Sequence, residues 1–283
     1  MPPLSFDTSH EWLLRLQDAI CTAIARLDGA ADFIEDHWER DGGGGGRTRV
    51  LAGGAVFEKA GVGVSYVHGG LDPAFADMLP GDGTDFAATG LSLVFHPKSP
   101  KVPAVHANIR LVRRGETTWT GGGMDLTPYY TRDEDCIHFH RTCRAACAPH
   151  GSAWYARFKQ WCDSYFYLPH RREMRGIGGL FFDYVGVPAS ALPVAIRCRT
   201  ALGLVTAVPL LVACDFSEDV GRKFLEAYVP IVESRRKEAW TDAEREFQLY
   251  RRGRYAEFNL LYARGPMFGL RTNGRVESIL MSM

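Results

Sequence analysis

Five strand-like runs follow one another between residues 48 and 122, with no helical pattern between them. They cover residues 48–57, 61–70, 90–97, 104–112 and 117–122. Strands that follow each other without a crossover helix pair antiparallel, so this block predicts an antiparallel sheet. The three prolines of 97-PKSPKVP-103 predict a stiff hairpin connection between the third and fourth runs.

Helical patterns lie on both sides of this block. Capping-box patterns at 8-TSHE-11 and 131-TRDE-134 open predicted helices that end near Gly29 and Cys147. Further helices are predicted over 31–39 and 152–168, with two more within 187–251. Strands are predicted again over 254–264, 267–272 and 275–281, the last two joined by a tight turn at Asn273-Gly274.

Grouped helices and grouped strands, rather than their regular alternation, predict an α+β fold. We expect a single domain over residues 1–283, with one large antiparallel sheet covered by α-helices on both faces. The stretch 42-GGGGG-46 is low in complexity and lacks the Lys-Ser/Thr ending of a phosphate loop. We interpret it as a mobile hinge or lid, with a plain linker as the alternative.

The composition excludes several classes of protein. Lys plus Arg and Asp plus Glu both number 33, so no basic surplus indicates nucleic-acid binding. The seven cysteines contain no CxxC pair, which indicates reduced thiols in an intracellular protein. The longest apolar run, 200–214, is too short to span a bilayer, and no targeting segment is visible. A cytoplasmic location is therefore expected.

One strand carries unusual polar side chains. In 104-AVHANIRLV-112, His106, Asn108 and Arg110 alternate with apolar residues and so share one face of the predicted strand. Pairing with 90–97 would add Ser92 and His96 to that face. A solvated face usually carries Lys, Glu and Thr, whereas these groups bind anions or transfer protons. Simple exposure to water remains the alternative.

Asp125 follows three glycines in 121-GGGMD-125. Glycines permit close backbone approaches, so a bulky flat ligand can lie against this carboxylate. The alternative is a turn or cap aspartate ahead of Thr127-Pro128.

Six sequence blocks are specific when taken together. They are 96-HPKSPKVPAVHANIR-110, 121-GGGMDLTPYY-130, 138-HFHRT-142, 175-RGIGGLFFD-183, 250-YRRGRYAEFNLLYARG-265 and 277-ESILMSM-283. In this order they resemble the oxygen-dependent coproporphyrinogen III oxidases over most of the chain. The resemblance implies oxidative decarboxylation of two propionates of coproporphyrinogen III to vinyl groups, giving protoporphyrinogen IX in haem biosynthesis. It also implies an oxidoreductase that acts on CH–CH groups with O2 as co-substrate and without an organic cofactor.

The resemblance assigns roles to individual residues. His106 corresponds to the proton donor, Asp125 to the carboxylate that engages the pyrrole N–H groups, and Arg110 to a catalytic and propionate-binding arginine. The substrate-binding set is Ser92, Asn108, Ile109, Arg110, Asn273, Gly274 and Arg275. Bacterial relatives are described with a divalent metal at positions that match His96, His106, His140 and His170.

The resemblance further implies a homodimer, which we place in the C-terminal third because 254–265 alternates between an apolar and a mixed face. The stretch 184–216 departs from the family and has no assigned function. The chain ends at Met283 where relatives continue, so we expect a shortened C-terminal end. Alternative functions are an inactive tetrapyrrole-binding relative and a metal-dependent oxygenase that uses the histidines.

Overall fold

The computed structural model describes residues 5–192, 208–271 and 275–281. Nine strands lie in this part of the chain: β1 Ile34–Glu39, β2 Gly44–Ala52, β3 Phe57–Gly70, β4 Asp85–Pro97, β5 Ala104–Arg114, β6 Thr117–Thr127, β7 Tyr167–Leu168, β8 Glu173–Met174 and β9 Gly178–Val185. Seven of them form one antiparallel sheet in the order β1-β2-β3-β4-β5-β6-β9. The other two, β7 and β8, form a separate short hairpin.

Eight α-helices accompany the strands in the described residues: α1 Phe6–Asp28, α2 Pro73–Ala76, α3 Asp133–Cys147, α4 Trp154–Tyr165, α5 Leu210–Arg235, α6 Asp242–Leu261, α7 Arg264–Arg271 and α8 Val276–Ile279. The predicted α+β class, with one large antiparallel sheet and helices packed on it, is confirmed.

The main core lies between one face of the sheet and helices α1 and α5. Leu91, Leu93 and Phe95 of β4 lie on this face, and all three are at most 1% exposed. Val105, Ala107 and Ile109 of β5 lie on the same face, where they pack with α1 and α5 in one cluster. The alternation of β5 thus leaves His106, Asn108 and Arg110 on the opposite face.

Helix α6 is fixed over part of that opposite face by a buried amide. The Gln248 side chain is 1% exposed and donates to the carbonyl oxygens of Pro97 (2.9 Å) and Ser99 (3.3 Å). The C-terminal segment covers another part, since Thr48 on β2 donates to Ser278 on α8 at 2.9 Å. Helices therefore lie on both faces of the sheet.

The helix predicted over residues 31–39 and the linker alternative for residues 42–46 were wrong. Within this stretch Ile34–Glu39 form strand β1 instead of a helix, because their backbone pairs with β2, a contact that local helical spacing does not reveal. Within the glycine run, Gly44–Gly46 belong to β2 and pair with β3, and Gly45 and Gly46 also pair with β1, so the run is part of a hairpin rather than a plain linker. A movement of this hairpin as a lid stays a prediction. A Cβ on Gly46 would lie 2.5 Å from Cζ2 of Trp38, so glycine at this position of β2 leaves room for the Trp38 indole.

The C-terminal strand predictions were also wrong. Residues 254–261 belong to α6, and α7 and α8 occupy most of the remainder, while Asn273 and Gly274 lie outside the described residues.

The two capping boxes differ from those predicted, because Ser5 and Thr8 cap α1 and no side chain caps α3 at Arg132. Strand β9 was not predicted at all.

The apolar run 200–214 lies mostly outside the described residues. Among the helices that the structure describes, none combines the length and the apolar character needed to cross a membrane.

Candidate active site

The strand register brings the predicted polar residues onto one face. Ser92 lies opposite Asn108, and His106 lies opposite Asp125. Residues directly opposite each other in an antiparallel pair point to the same side. His106 and Arg110 retain 21% and 25% of their side-chain exposure and Asp125 only 2%, so the interpretation of a simply solvated face was wrong.

Asp125 is a buried strand residue rather than a turn or cap residue. Nδ1 of His106 lies 2.9 Å from its Oδ1, and Nη2 of Arg175 lies 2.7 Å from both of its oxygens. Burial alone would raise the pKa of Asp125, but the Arg175 charge and the His106 hydrogen bond outweigh it and lower that pKa. The carboxyl is thus held ionised behind His106.

Arg175 is the buried counter-charge of this carboxylate. Its side chain is 1% exposed, and its guanidinium lies 3.7 Å from the ring centroid of Phe166 and 4.8 Å from those of Tyr255 and Phe258. Burial would lower the pKa of Arg175, but Asp125 and Tyr255 raise it. Three aromatic faces and one carboxylate therefore hold a permanent cation in place.

Arg110 has partners on two strands. Its Nη1 donates to Oδ1 of Asn108 at 2.7 Å, and its Nη2 donates to Oδ2 of Asp183 on β9 at 2.7 Å. A Cβ on Gly121, the residue opposite Arg110, would lie 2.5 Å from Oδ1 of Asp183. The glycine therefore leaves the space in which this ion pair forms. Burial would lower the pKa of Arg110, but Asp183 outweighs it and raises that pKa.

A second arginine lies near this ion pair. Nη1 of Arg264, at the start of α7, is 3.7 Å from Oδ2 of Asp183 and donates to the Tyr184 hydroxyl at 3.3 Å. The backbone N–H of Arg264 donates to the Tyr165 hydroxyl at 3.0 Å. Tyr165 in turn stacks on Phe181, with ring centroids 4.0 Å apart. Two guanidiniums beside an aromatic wall suit a ligand that combines apolar rings with carboxylates.

Sequence reasoning assigned no role to Arg175, Asp183 or Arg264. The first two begin and end the block 175–183, and the third lies in the block 250–265. The resemblance marked these blocks, but no local pattern distinguished the three side chains from structural ones.

The remaining predicted substrate residues are dispersed. The Ile109 side chain is 5% exposed in the core on the opposite face, so only its backbone is available on the polar side. Arg275 pairs with Asp36 on the edge strand β1 and with Glu277 at 3.4 Å. Met281 follows and packs against Gly61 and Gly63 on β3. In this arrangement Arg275 belongs to the β1 side of the sheet, whereas Arg110 belongs to β5.

The four histidines of the predicted metal set do not fit a shared metal site. His140 on α3 contacts the Ile177 carbonyl oxygen and the Tyr155 hydroxyl, each at 3.2 Å. His170, between β7 and β8, contacts Glu257 at 2.9 Å and Tyr262 at 3.0 Å. Throughout the described ranges, no group of three or more His, Cys, Asp or Glu residues is arranged to hold a metal ion. No step is therefore assigned to a metal at these residues.

A surface groove of about 890 Å³ lies elsewhere, where the N-terminal part of α1 meets β1, β2 and β3. Its lining includes His10, His37, Arg47 and Tyr66. None of the predicted catalytic or substrate-binding residues contributes to it, so the chemistry of the chain is concentrated on the polar face of β4, β5, β6 and β9.

Comparison with known families identifies the family of this chain. The family model of coproporphyrinogen III oxidase matches residues 8–283. The chain belongs to the coproporphyrinogen III oxidase family. The match includes the divergent stretch 184–216 and every block that carries the polar face. Coproporphyrinogen III oxidases are oxidoreductases that decarboxylate their substrate in haem biosynthesis. The family match places the chain in this class of enzymes.

Proposed function

We propose that this chain catalyses the oxygen-dependent decarboxylation of two propionates of coproporphyrinogen III to vinyl groups, giving protoporphyrinogen IX. The observation that carries the proposal is the contact of partly exposed His106 with the buried Asp125–Arg175 pair, on the same face of the sheet as the Arg110 fork. A porphyrinogen is rich in electrons and can pass them to O2 directly, so the protein needs chiefly to bind, orient and transfer protons.

His106 is the proton-transferring group in this proposal. The Asp125 carboxylate accepts the Nδ1–H of His106, which leaves Nε2 as the nitrogen that exchanges a proton with substrate. The 21% exposure of His106 gives a ligand access to it, whereas Asp125 is 2% exposed. Direct contact between Asp125 and the pyrrole N–H groups stays a prediction that requires His106 to move aside.

Asp125 serves mainly as a fixed negative charge. A carboxyl whose pKa is lowered binds a proton weakly, so it is a poor general base near neutral pH. Its charge stabilises positive charge on His106 and on an electron-depleted ring, as a preorganised electrostatic partner does. Arg175 keeps that charge in place but leaves the pair overall neutral.

Arg110 and Arg264 are the proposed propionate contacts. A guanidinium binds a carboxylate through two parallel hydrogen bonds, which fixes the position of the carboxylate as well as its distance. That position decides which propionate lies at the reacting site. Asn108, which accepts a hydrogen bond from Arg110, keeps the fork directed across the polar face.

The test is turnover of coproporphyrinogen III by purified protein, followed by product fluorescence after oxidation. We expect product in air, none under strict anaerobiosis, and unchanged turnover after exhaustive chelation. Product without O2 would contradict the oxygen dependence, and activity that is lost on chelation and restored by metal would favour the metal-dependent alternative.

We further propose a homodimer through the C-terminal third. The alternating strand on which we based this expectation is a helix, but the same region exposes apolar side chains. Leu260, Leu261, Met267 and Leu270 on α6 and α7 are 67%, 56%, 40% and 48% exposed. Apolar residues concentrated on neighbouring helices are typical of a surface that a partner subunit covers.

A further inference from the structure

Asp183 lies between the two arginines proposed to bind propionates. Its Oδ2 accepts from Nη2 of Arg110 at 2.7 Å and is 3.7 Å from Nη1 of Arg264. Its Oδ1 accepts the backbone N–H of Tyr184 at 3.0 Å. The Asp183 side chain is 6% exposed, whereas those of Arg110 and Arg264 are 25% and 36% exposed. The carboxylate is thus enclosed, and both arginine side chains are more accessible than it is.

This arrangement resembles a site in which one carboxylate position is already filled. Two guanidiniums can each bind a carboxylate, and Asp183 occupies one of these places from within the chain. The three side chains together carry one net positive charge, which matches a single ligand carboxylate. Gly121 is required for this arrangement, because a side chain there would occupy the space of the Asp183–Arg110 pair.

We propose that Asp183 determines how many substrate carboxylates the Arg110–Arg264 pair holds, limiting it to one. This inference rests on the proposed function and names the residue that sets its specificity. When the bound propionate loses its carboxylate, Asp183 still neutralises one of the two arginines. The pair can therefore hold at most one of the two remaining propionates of the product, so Asp183 limits how strongly the product is retained.

The test uses Asp183→Asn, which keeps the shape of the side chain but removes its charge. The matched control is Asp85→Asn, which removes the same charge from an exposed aspartate beside Arg113 at the start of β4. The probes are coproporphyrin III, with four propionates, and mesoporphyrin, with two. Both are oxidised macrocycles that the proposed reaction cannot consume, and their binding is followed by fluorescence titration at several salt concentrations.

We expect Asp183→Asn to bind coproporphyrin about five- to twentyfold more tightly than the parent, with a steeper dependence on salt. The increase in affinity caused by Asp183→Asn should be smaller for mesoporphyrin than for coproporphyrin. The variant should melt at a lower temperature than the parent but be stabilised more by coproporphyrin, because a ligand carboxylate replaces the one removed. A purely structural role would lower the melting temperature without tightening binding.

Two further variants keep the inference testable if Asp183→Asn folds poorly. Asp183→Asn combined with Arg264→Gln restores one net charge and should bring coproporphyrin affinity back to within about twofold of the parent. Arg264→Gln alone leaves Arg110 and Asp183 neutralising each other and should weaken binding about tenfold.

Unchanged or weaker coproporphyrin binding in Asp183→Asn, or a gain equal to that of Asp85→Asn, would overturn the inference. So would parental affinity in Arg264→Gln. These outcomes differ from a failure of the proposed function, which would show as a parent protein that does not turn over coproporphyrinogen III at all.

Discussion

Arg175 and Asp125 form a buried ion pair in which one guanidinium nitrogen lies 2.7 Å from both carboxylate oxygens. The two side chains are 1% and 2% exposed, and the aromatic rings of Phe166, Tyr255 and Phe258 surround the cation. Neither charge has access to bulk water, so each is stable only because the other is present. The pair anchors His106 and therefore the chemistry proposed for the polar face.

Replacement of Arg175 by methionine should destabilise the protein by about 3–5 kcal/mol, because a buried carboxylate loses its partner. In the parent, the lowered pKa of Asp125 contributes stability above the unfolded pKa, and this contribution is lost as pH falls through the folded value. In Arg175→Met, burial should raise the pKa of Asp125 above its unfolded value. Protonation of Asp125 should then favour the folded state, so acid should reduce the loss of stability caused by the substitution.

Urea unfolding at pH 7, 5 and 4 measures this effect. The difference in free energy of unfolding between the parent and Arg175→Met should become smaller as pH falls. Arg15→Met, which removes an exposed partner of Glu11, is the control and should change little. A gap that does not depend on pH would show that Asp125 is not the group responsible.

Asp28 joins the end of α1 to the start of β3 and gives a second pH prediction. Its carboxylate accepts the backbone N–H groups of Ala30, Ala31, Ala55, Val56 and Phe57 at 2.9–3.2 Å. Burial would raise the pKa of Asp28, but these hydrogen bonds lower it. Its stabilisation is present above the unfolded pKa and is lost as pH falls through the folded one.

Asp28→Asn should therefore cost about 2–3 kcal/mol at pH 7 and progressively less in acid. Asp32→Asn, at an exposed position nearby, is the control. Equal losses for the two variants, measured by urea unfolding, would show that the bonds to Asp28 contribute nothing beyond a surface charge.

Gly121→Ala tests the space reserved for the Arg110–Asp183 pair. The added Cβ would lie 2.5 Å from Oδ1 of Asp183 and 2.9 Å from Nε of Arg110, so the pair must separate. We expect kcat/KM to fall about ten- to hundredfold, the cost of a misplaced charge-assisted hydrogen bond. Gly70→Ala, where a Cβ meets nothing within 4 Å, is the matched control in steady-state kinetics. Equal kcat/KM values in the two variants would show that the pair does not need the space that Gly121 leaves.

The proposed homodimer predicts that Leu260→Asp dissociates the protein. Sedimentation velocity at micromolar concentration should show a dimer for the parent and a monomer for this variant, because a buried charge in an apolar interface is unfavourable. Ile137→Asp alters a similarly exposed residue on α3 and should remain dimeric. A monomeric parent would end the dimer proposal.

The sequence predicted the sheet and its polar face because both depend on local alternation. Ala107 and Ile109 point to the core, and His106 and Asn108 point away from it, as a period of two requires. The same rule failed at 254–264, where it suggested a strand. There, Tyr255 and Phe258 are buried three residues apart while Leu260 and Leu261 are exposed, which is helical spacing.

The counter-charges of the site were beyond sequence reasoning for a different reason. Arg175 is 50 residues from Asp125 along the chain, and Asp183 is 73 residues from Arg110. Such pairs depend on the pairing of β9 with β6 and on the segment between β8 and β9, and no sequence periodicity predicts them. Strand β1 escaped prediction similarly, because it is defined by its pairing with β2.

Steady-state kinetics of Arg110→Lys and Asp125→Asn test most directly whether the polar face of β5 is the active site. Lysine keeps the charge but not the fork, so we expect kcat/KM to fall about ten- to hundredfold in Arg110→Lys. Asp125→Asn removes the charge behind His106, so kcat should fall more than substrate binding weakens. Thermal melting of both variants excludes misfolding. Folded variants with near-parental kcat/KM would contradict the account and return this face of the sheet to a structural role.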